Sequence, residues 1–275
     1  MNEPLDLSSL LELPLNNRRV SRNARKRYLR QRQSGVIIPP MRFEKTVASS
    51  LNVLNASFVK KMYDKLLLNL QIVKDSIEEN EAFVGESIRG IANTPDKTLE
   101  FVLSPKFEEG TVLFFEYFLK DLPESFAMEI SFSLDKNEVF KNRVGKIQEF
   151  YLDEAIKRTS GGQDLLREKF VKKMSDYITT QKVGLDGLEE IYKEILSDGK
   201  SFSKFFARDQ FARFGRALTL ASYDEGGYTK VEWLTVGDGR VRKSHEKLNG
   251  KVFDIDNLPD EIHDFNCRCT FAPVE

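Results

Sequence analysis

Cysteine, histidine and tryptophan are scarce in this sequence: two, two and one in 275 residues. Two cysteines cannot build a disulfide scaffold, and they fit a chain made in a reducing cytoplasm. No apolar run approaches the roughly 20 residues that a bilayer span requires, so no membrane partner is expected. The opening stretch, MNEPLDLSSLLELPLNNRR, lacks the basic start and apolar run of an export signal, which also points to cytoplasmic synthesis. One-sided charge is absent as well. The net charge is −1, so only local patches could bind a polyanion. Several catalytic signatures are missing too: a G-x-x-x-x-G-K-[ST] phosphate loop, a G-x-G-x-x-G turn and a G-x-S-x-G elbow. His245-Glu246 supplies only the first half of H-E-x-x-H. Glu189-Glu190 diverge on a predicted helix and read as a solvated face rather than an acid–base pair.

What is present is 40% hydrophobic and 31% charged, enough for a core with a wet exterior. Residues 1–40 read as an arm. They carry Arg18, Arg19, Arg22, Arg25, Lys26, Arg27, Arg30 and Arg32, and Pro39-Pro40 closes the segment. Such a block stays solvated, docks on an acidic protein surface, or neutralises DNA phosphates with strong salt dependence. From residue 43 to about 79, Phe43, Val47, Leu51, Leu54, Phe58, Met62 and Leu66 step by three or four, predicting a long core helix. Met128–Asp135 alternates, which favours a strand without excluding a helix start. Asn137–Lys157 and Gln163–Thr179 read as two helices punctuated by Gly161-Gly162. Leu185–Leu196 and Ser201–Ser222 read as two more. Arg208 lies on the last of these among phenylalanines. It either sits at the surface or needs an acid partner, with Asp238 and Asp224 as candidates.

The scarce residue types gather between Val231 and Val274. Val231–Val236 reads as a strand with Trp233 on its buried face, ended by Gly237-Asp238-Gly239. Asp238 is placed to cap a short helix from about Arg240 to Asn249, and Gly250 suits the left-handed residue after it. Lys251–Asp254 and Cys267–Ala272 are two further short strands. In a strand, Cys267 and Cys269 point to one side. Two thiolates on one face, with His245 and His263, make a Cys2His2 zinc set. Two half-buried cysteines beside surface histidines form the plainer alternative. A Cys267–Cys269 disulfide is a third, disfavoured by the geometry of residues two apart.

The pattern Trp233, Thr235, Asp238, Arg240, Val241, Arg242, His245, Gly250, Val252, Phe253, then Asn266-Cys267-Arg268-Cys269, resembles the phage head morphogenesis family, also called Mu F-like minor head proteins. Ala207-Arg208-Asp209-Gln210 stands where relatives have A-R-T-E, and the final loop is one residue longer than theirs. The resemblance implies a minor capsid protein of a tailed phage head. It would be associated with the portal vertex, the capsid interior and the packaged DNA. It would have a structural rather than catalytic role in assembly, genome packaging or ejection. Mechanical roles then fall to Trp233 in the core, Asp238 as cap, Arg240 and Arg242 in polar contacts, and the Cys/His set as a zinc staple. The rival reading makes the Cys/His cluster the catalytic metal site of a hydrolase or nuclease.

The fold expected is α+β: a mainly helical body with a small C-terminal module of short strands and one short helix. The expected division is a basic arm at 1–40, a helical domain at 41–160 and a Mu F-like domain at 161–275, most specific at 229–275.

Overall fold

In a computed structural model, residues 41–72, 85–122, 124–179, 185–235 and 240–274 are described. The basic arm with its eight cations, and Asp238 with its flanking glycines, lie outside them. Among the described residues, five long helices come first: α1 (Met41–Ile72), α2 (Asp96–Asp121), α3 (Glu124–Lys136), α4 (Glu138–Thr179) and α5 (Leu185–Glu225). A small sheet follows, made of β1 (Lys230–Leu234), β2 (Val252–Asp254) and β3 (Thr270–Val274). One turn of helix, α6 (Lys243–Glu246), lies between β1 and β2, and a 3-10 turn, Asp260–His263, lies between β2 and β3. The α+β expectation is met. Among the described residues no helix is long and apolar enough to cross a membrane.

Three local expectations change. Met128–Asp135 is helix, because Phe126, Ile130 and Leu134 are buried at a spacing of four, a helical period. Gly161-Gly162 does not break α4. Adding a Cβ at Gly162 would bring it within 2.2 Å of the Phe202 ring, so the glycine is there to let an aromatic side chain seat against the helix. The two helices expected on either side of Ser197–Lys200 are one, α5. Gly199 lies against Asn55 and Leu166, and its carbonyl accepts the Ser203 hydroxyl. Packing overrides glycine's poor helix propensity at both places.

The chain divides into two compact units, each drawn from several segments. One comprises residues 44–106 and 152–208. Its interior is Phe58, Val59, Met62, Leu66, Leu166, Phe170, Met174 and Ile195, with neighbours from the same helices. Of the expected stripe, Val47, Leu51, Phe58, Met62 and Leu66 are buried, as its period demanded. The other unit comprises, among the described residues, 107–151 and 209–274. Its core is aromatic: Phe107 lies against Phe211 and Phe214, and Phe118 against Tyr223.

The sheet belongs to this second unit. β1 is the central strand, antiparallel to both neighbours, in the order β2-β1-β3. Val231 and Trp233 are fully buried on one of its faces, as period two requires. Trp233 pairs with Phe271 across to β3, and Val231 with Phe253 across to β2. Gly250 has φ +77, the left-handed residue expected there. The strand expected at Cys267–Ala272 starts at Thr270, so both cysteines lie in the segment leading into β3.

Candidate metal centre

Three of the four expected ligands come together. His245, Cys267 and Cys269 are buried, and one donor atom from each lies within 4.8 Å of the others. His245 Nδ1 stands 3.4 Å from the Cys267 sulfur and 3.4 Å from the Cys269 sulfur. Both cysteines are free. His263 is not part of the group. It ends the 3-10 turn on an exposed face, because Asp264 next to it is turned toward His245 instead.

Each side chain is held by a specific device. His245 lies on the single turn α6, which follows Arg242 in extended backbone. That turn is shorter and starts later than the helix expected from Arg240 to Asn249. Trp233 meets the imidazole edge-on at 5.6 Å between ring centres, and Phe271 meets Trp233 at 5.2 Å. The other imidazole nitrogen, Nε2, lies 2.8 Å from Asp264 Oδ2. Arg242 Nη1 lies 3.7 Å from that same oxygen, and Arg242 Nη2 donates to the Phe265 carbonyl.

The cysteine segment is tied to α5. Buried Arg216 donates through Nη1 to the Cys267 carbonyl at 2.7 Å and through Nη2 to the Ile262 carbonyl at 3.1 Å. Asp209, also buried, accepts the Asn266 backbone N–H at 2.6 Å. Asn266 itself has φ +52, a left-handed value that asparagine tolerates better than most residues. Asp209 therefore anchors the turn that delivers Cys267. Arg208 beside it is exposed. Asp224, one acid considered for it, pairs with Arg143. Sequence reading missed Asp264, Arg216 and Asp209 as supports. The available signals were weak: Asp264 abuts the wrongly chosen histidine, and Arg216 follows an apolar helical pattern with no partner visible in the linear order.

The thiols are electrostatically unequal. Cys267 is held down at about 5, chiefly because the Cys269 thiol hydrogen-bonds to its sulfur. Burial opposes this, while the Arg216 charge, the Cys269 backbone N–H and His245 reinforce it. Cys269 is pushed up as the donor of that bond and by burial. The Trp233 indole N–H is buried with no conventional acceptor, and its influence falls on the Cys269 sulfur, whose charged form it favours.

This donor set fits a metal ion. Thiolate and imidazole are the ligands of choice for soft and borderline cations, and the two sulfurs and Nδ1 already converge. The Trp233 N–H, which faces the Cys269 sulfur, would have a stronger acceptor once Cys269 is a metal thiolate. A cysteine nucleophile activated by the same His245–Asp264 pair is less well served. Cys267 and Cys269 are 2% and 5% exposed, which gives a substrate no approach.

Against this geometry the comparisons are direct. Residues 168–272 match the family model described as phage Mu protein F like protein. This segment is similar to Mu F-like proteins. It contains all of α5, the sheet up to Ala272 and the whole Cys/His cluster with its supports. A relative from Haemophilus influenzae (strain ATCC 51907 / DSM 11121 / KW20 / Rd), named "Uncharacterized protein", is 34% identical over 116 residues. The match covers 40% of this chain and 26% of the relative, so the chain spans about a quarter of that protein's length. No solved structure matches the chain.

Proposed function

We propose that this protein is a minor capsid, or head morphogenesis, protein of a tailed bacteriophage, acting in assembly and not by turnover. The match of residues 168–272 to the Mu F-like family carries the reading. On it, the protein is made in the host bacterial cytoplasm and ends in the virion. Its partners are the portal protein and the capsid interior. The basic arm, Arg18 to Arg32, contacts packaged DNA or the portal, and the protein takes part in genome packaging or ejection. The division of labour is an arm at 1–40, a helical spacer at 41–160 and an assembly domain at 161–275. In that domain, zinc held by His245, Cys267 and Cys269 staples the module, with Trp233 as its floor, Gly250 as its turn and Arg242 as a polar brace. Arg240 serves with Arg242 in polar contacts. Burial of all three ligands favours a staple over a hydrolytic centre, which needs a substrate-accessible coordination position.

Mass spectrometry of particles from the phage that carries this gene tests the reading. Peptides of the chain at low copy number in filled heads are expected. Heads that assemble, fill and infect normally without the protein would overturn it. For the arm, DNA affinity is compared between the full chain and a variant beginning at Met41. The full chain should bind more tightly, with the difference shrinking steeply as salt rises. Equal binding removes the arm from the DNA contact.

A further inference from the structure

We propose that Asp264 is the positioning residue of the Cys/His centre: it fixes the His245 tautomer that turns a bare nitrogen lone pair toward the two sulfurs. The proposal rests on the metal reading above and extends it to a residue outside the ligand set. A carboxylate only accepts hydrogen bonds, and Asp264 Oδ2 lies 2.8 Å from His245 Nε2. Nε2 must therefore carry the ring proton. In a neutral imidazole this leaves Nδ1 unprotonated, and Nδ1 is the atom 3.4 Å from both sulfurs. The opposite tautomer would put a bare Nε2, an acceptor, against the Asp264 acceptor, and an N–H where a cation should sit.

Asp264 is itself fixed from three sides. Arg242 Nη1 approaches the same oxygen at 3.7 Å and reaches the neighbouring Phe265 carbonyl with its other nitrogen. The Asp264 carbonyl accepts the Cys267 backbone N–H at 3.2 Å, so one residue orients the histidine and also anchors the segment bearing the sulfurs. Arg216 holds that segment from α5 through the carbonyls of Ile262 and Cys267, on either side of Asp264. A carboxylate behind a metal-bound histidine is worth about 10–100-fold in metal affinity where such pairs have been removed. A merely structural contact would alter stability without choosing between ring nitrogens.

The test uses the full-length protein with zinc, and with cobalt as a spectroscopic substitute, in competition with a chelator. Asp264→Ala should weaken both ions about 10–100-fold. Asp264→Asn keeps an acceptor oxygen and should recover most of the affinity. The cobalt spectrum of each variant should still show two thiolate ligands. Nitrogen NMR of the histidine ring should show the proton on Nε2 in the wild type and a mixture of tautomers in Asp264→Ala. Unchanged affinity in Asp264→Ala, with wild-type binding intact, overturns the proposal. So does a wild-type ring protonated at Nδ1, which decides the matter even if Asp264→Ala fails to fold. A wild type that binds neither ion sinks the metal reading beneath it, and the tautomer measurement then judges the positioning claim alone.

Discussion

One compact unit holds a buried amide network closed on itself, and the other buries two amides whose side-chain atoms stay open. In the unit built from residues 44–106 and 152–208, Asn55 donates to Ser203 and accepts from Gln163. Gln163 also donates to the Thr94 hydroxyl and accepts the Thr94 backbone N–H, and Ser203 closes onto the Gly199 carbonyl. Every amide group of Asn55 and Gln163 finds a partner within the network. In the other unit, Gln210 and Asn266 each have both side-chain amide atoms buried without a hydrogen-bond partner. Three ligand atoms converge there as well. A closed network specifies how helices pack. An open one, with soft donors facing each other, is what a bound ion would complete.

The largest expected effect falls on the Cys/His cluster. Cys269→Ala or His245→Ala should abolish tight zinc binding, at least about 100-fold by chelator competition. The rise in melting temperature that zinc gives the wild type should vanish with it. Acid should release the ion from the wild type, since the ligand nitrogen and sulfurs then take protons. Should zinc stabilise the alanine variants equally, the open site is not a metal site. At the closed end, Gln163→Leu strands Asn55 and Thr94, and should lower the unfolding free energy by about 3 kcal/mol in a denaturant titration. Zinc affinity should not change. A change in both would mean that the two interiors are not independent.

Two smaller effects sharpen the account of the helices. Gly162→Ala should destabilise by about 2 kcal/mol, because the new methyl meets the Phe202 ring. Gly161→Ala next to it should stabilise by about 0.5–1 kcal/mol, since nothing lies within 4 Å and alanine favours helix. Opposite signs at adjacent glycines are the expected outcome of chemical denaturation. Equal signs would mean that Phe202 does not seat on Gly162.

Much of the fold was legible because its elements advertise themselves locally. The stripe from Val47 to Leu66, the alternation around Trp233 and the left-handed Gly250 all follow from period and backbone sterics. The errors share a cause. Gly161-Gly162 and Ser197–Lys200 look like breaks when read along the chain, and a distant aromatic ring or helix makes them continuous. Met128–Asp135 showed two competing periods, and burial chose the one of four. At the site, scarcity alone singled out His245, Cys267 and Cys269. It could not rank His263 against Asp264, because adjacent residues on a 3-10 turn face different ways and nothing in their order says which faces inward.

The sequence by itself determined a helix-rich chain ending in a β module, the residues able to bind a soft cation, and the resemblance to Mu F-like proteins. Tertiary structure alone decided that α5 supplies the anchors Asp209 and Arg216, and that Asp264 rather than His263 stands at the histidine. It also decided that the two sulfurs meet Nδ1. Ligand identity is a property of side-chain chemistry, written residue by residue. Ligand convergence depends on backbone segments far apart in the chain being held within hydrogen-bonding distance, which no local pattern encodes.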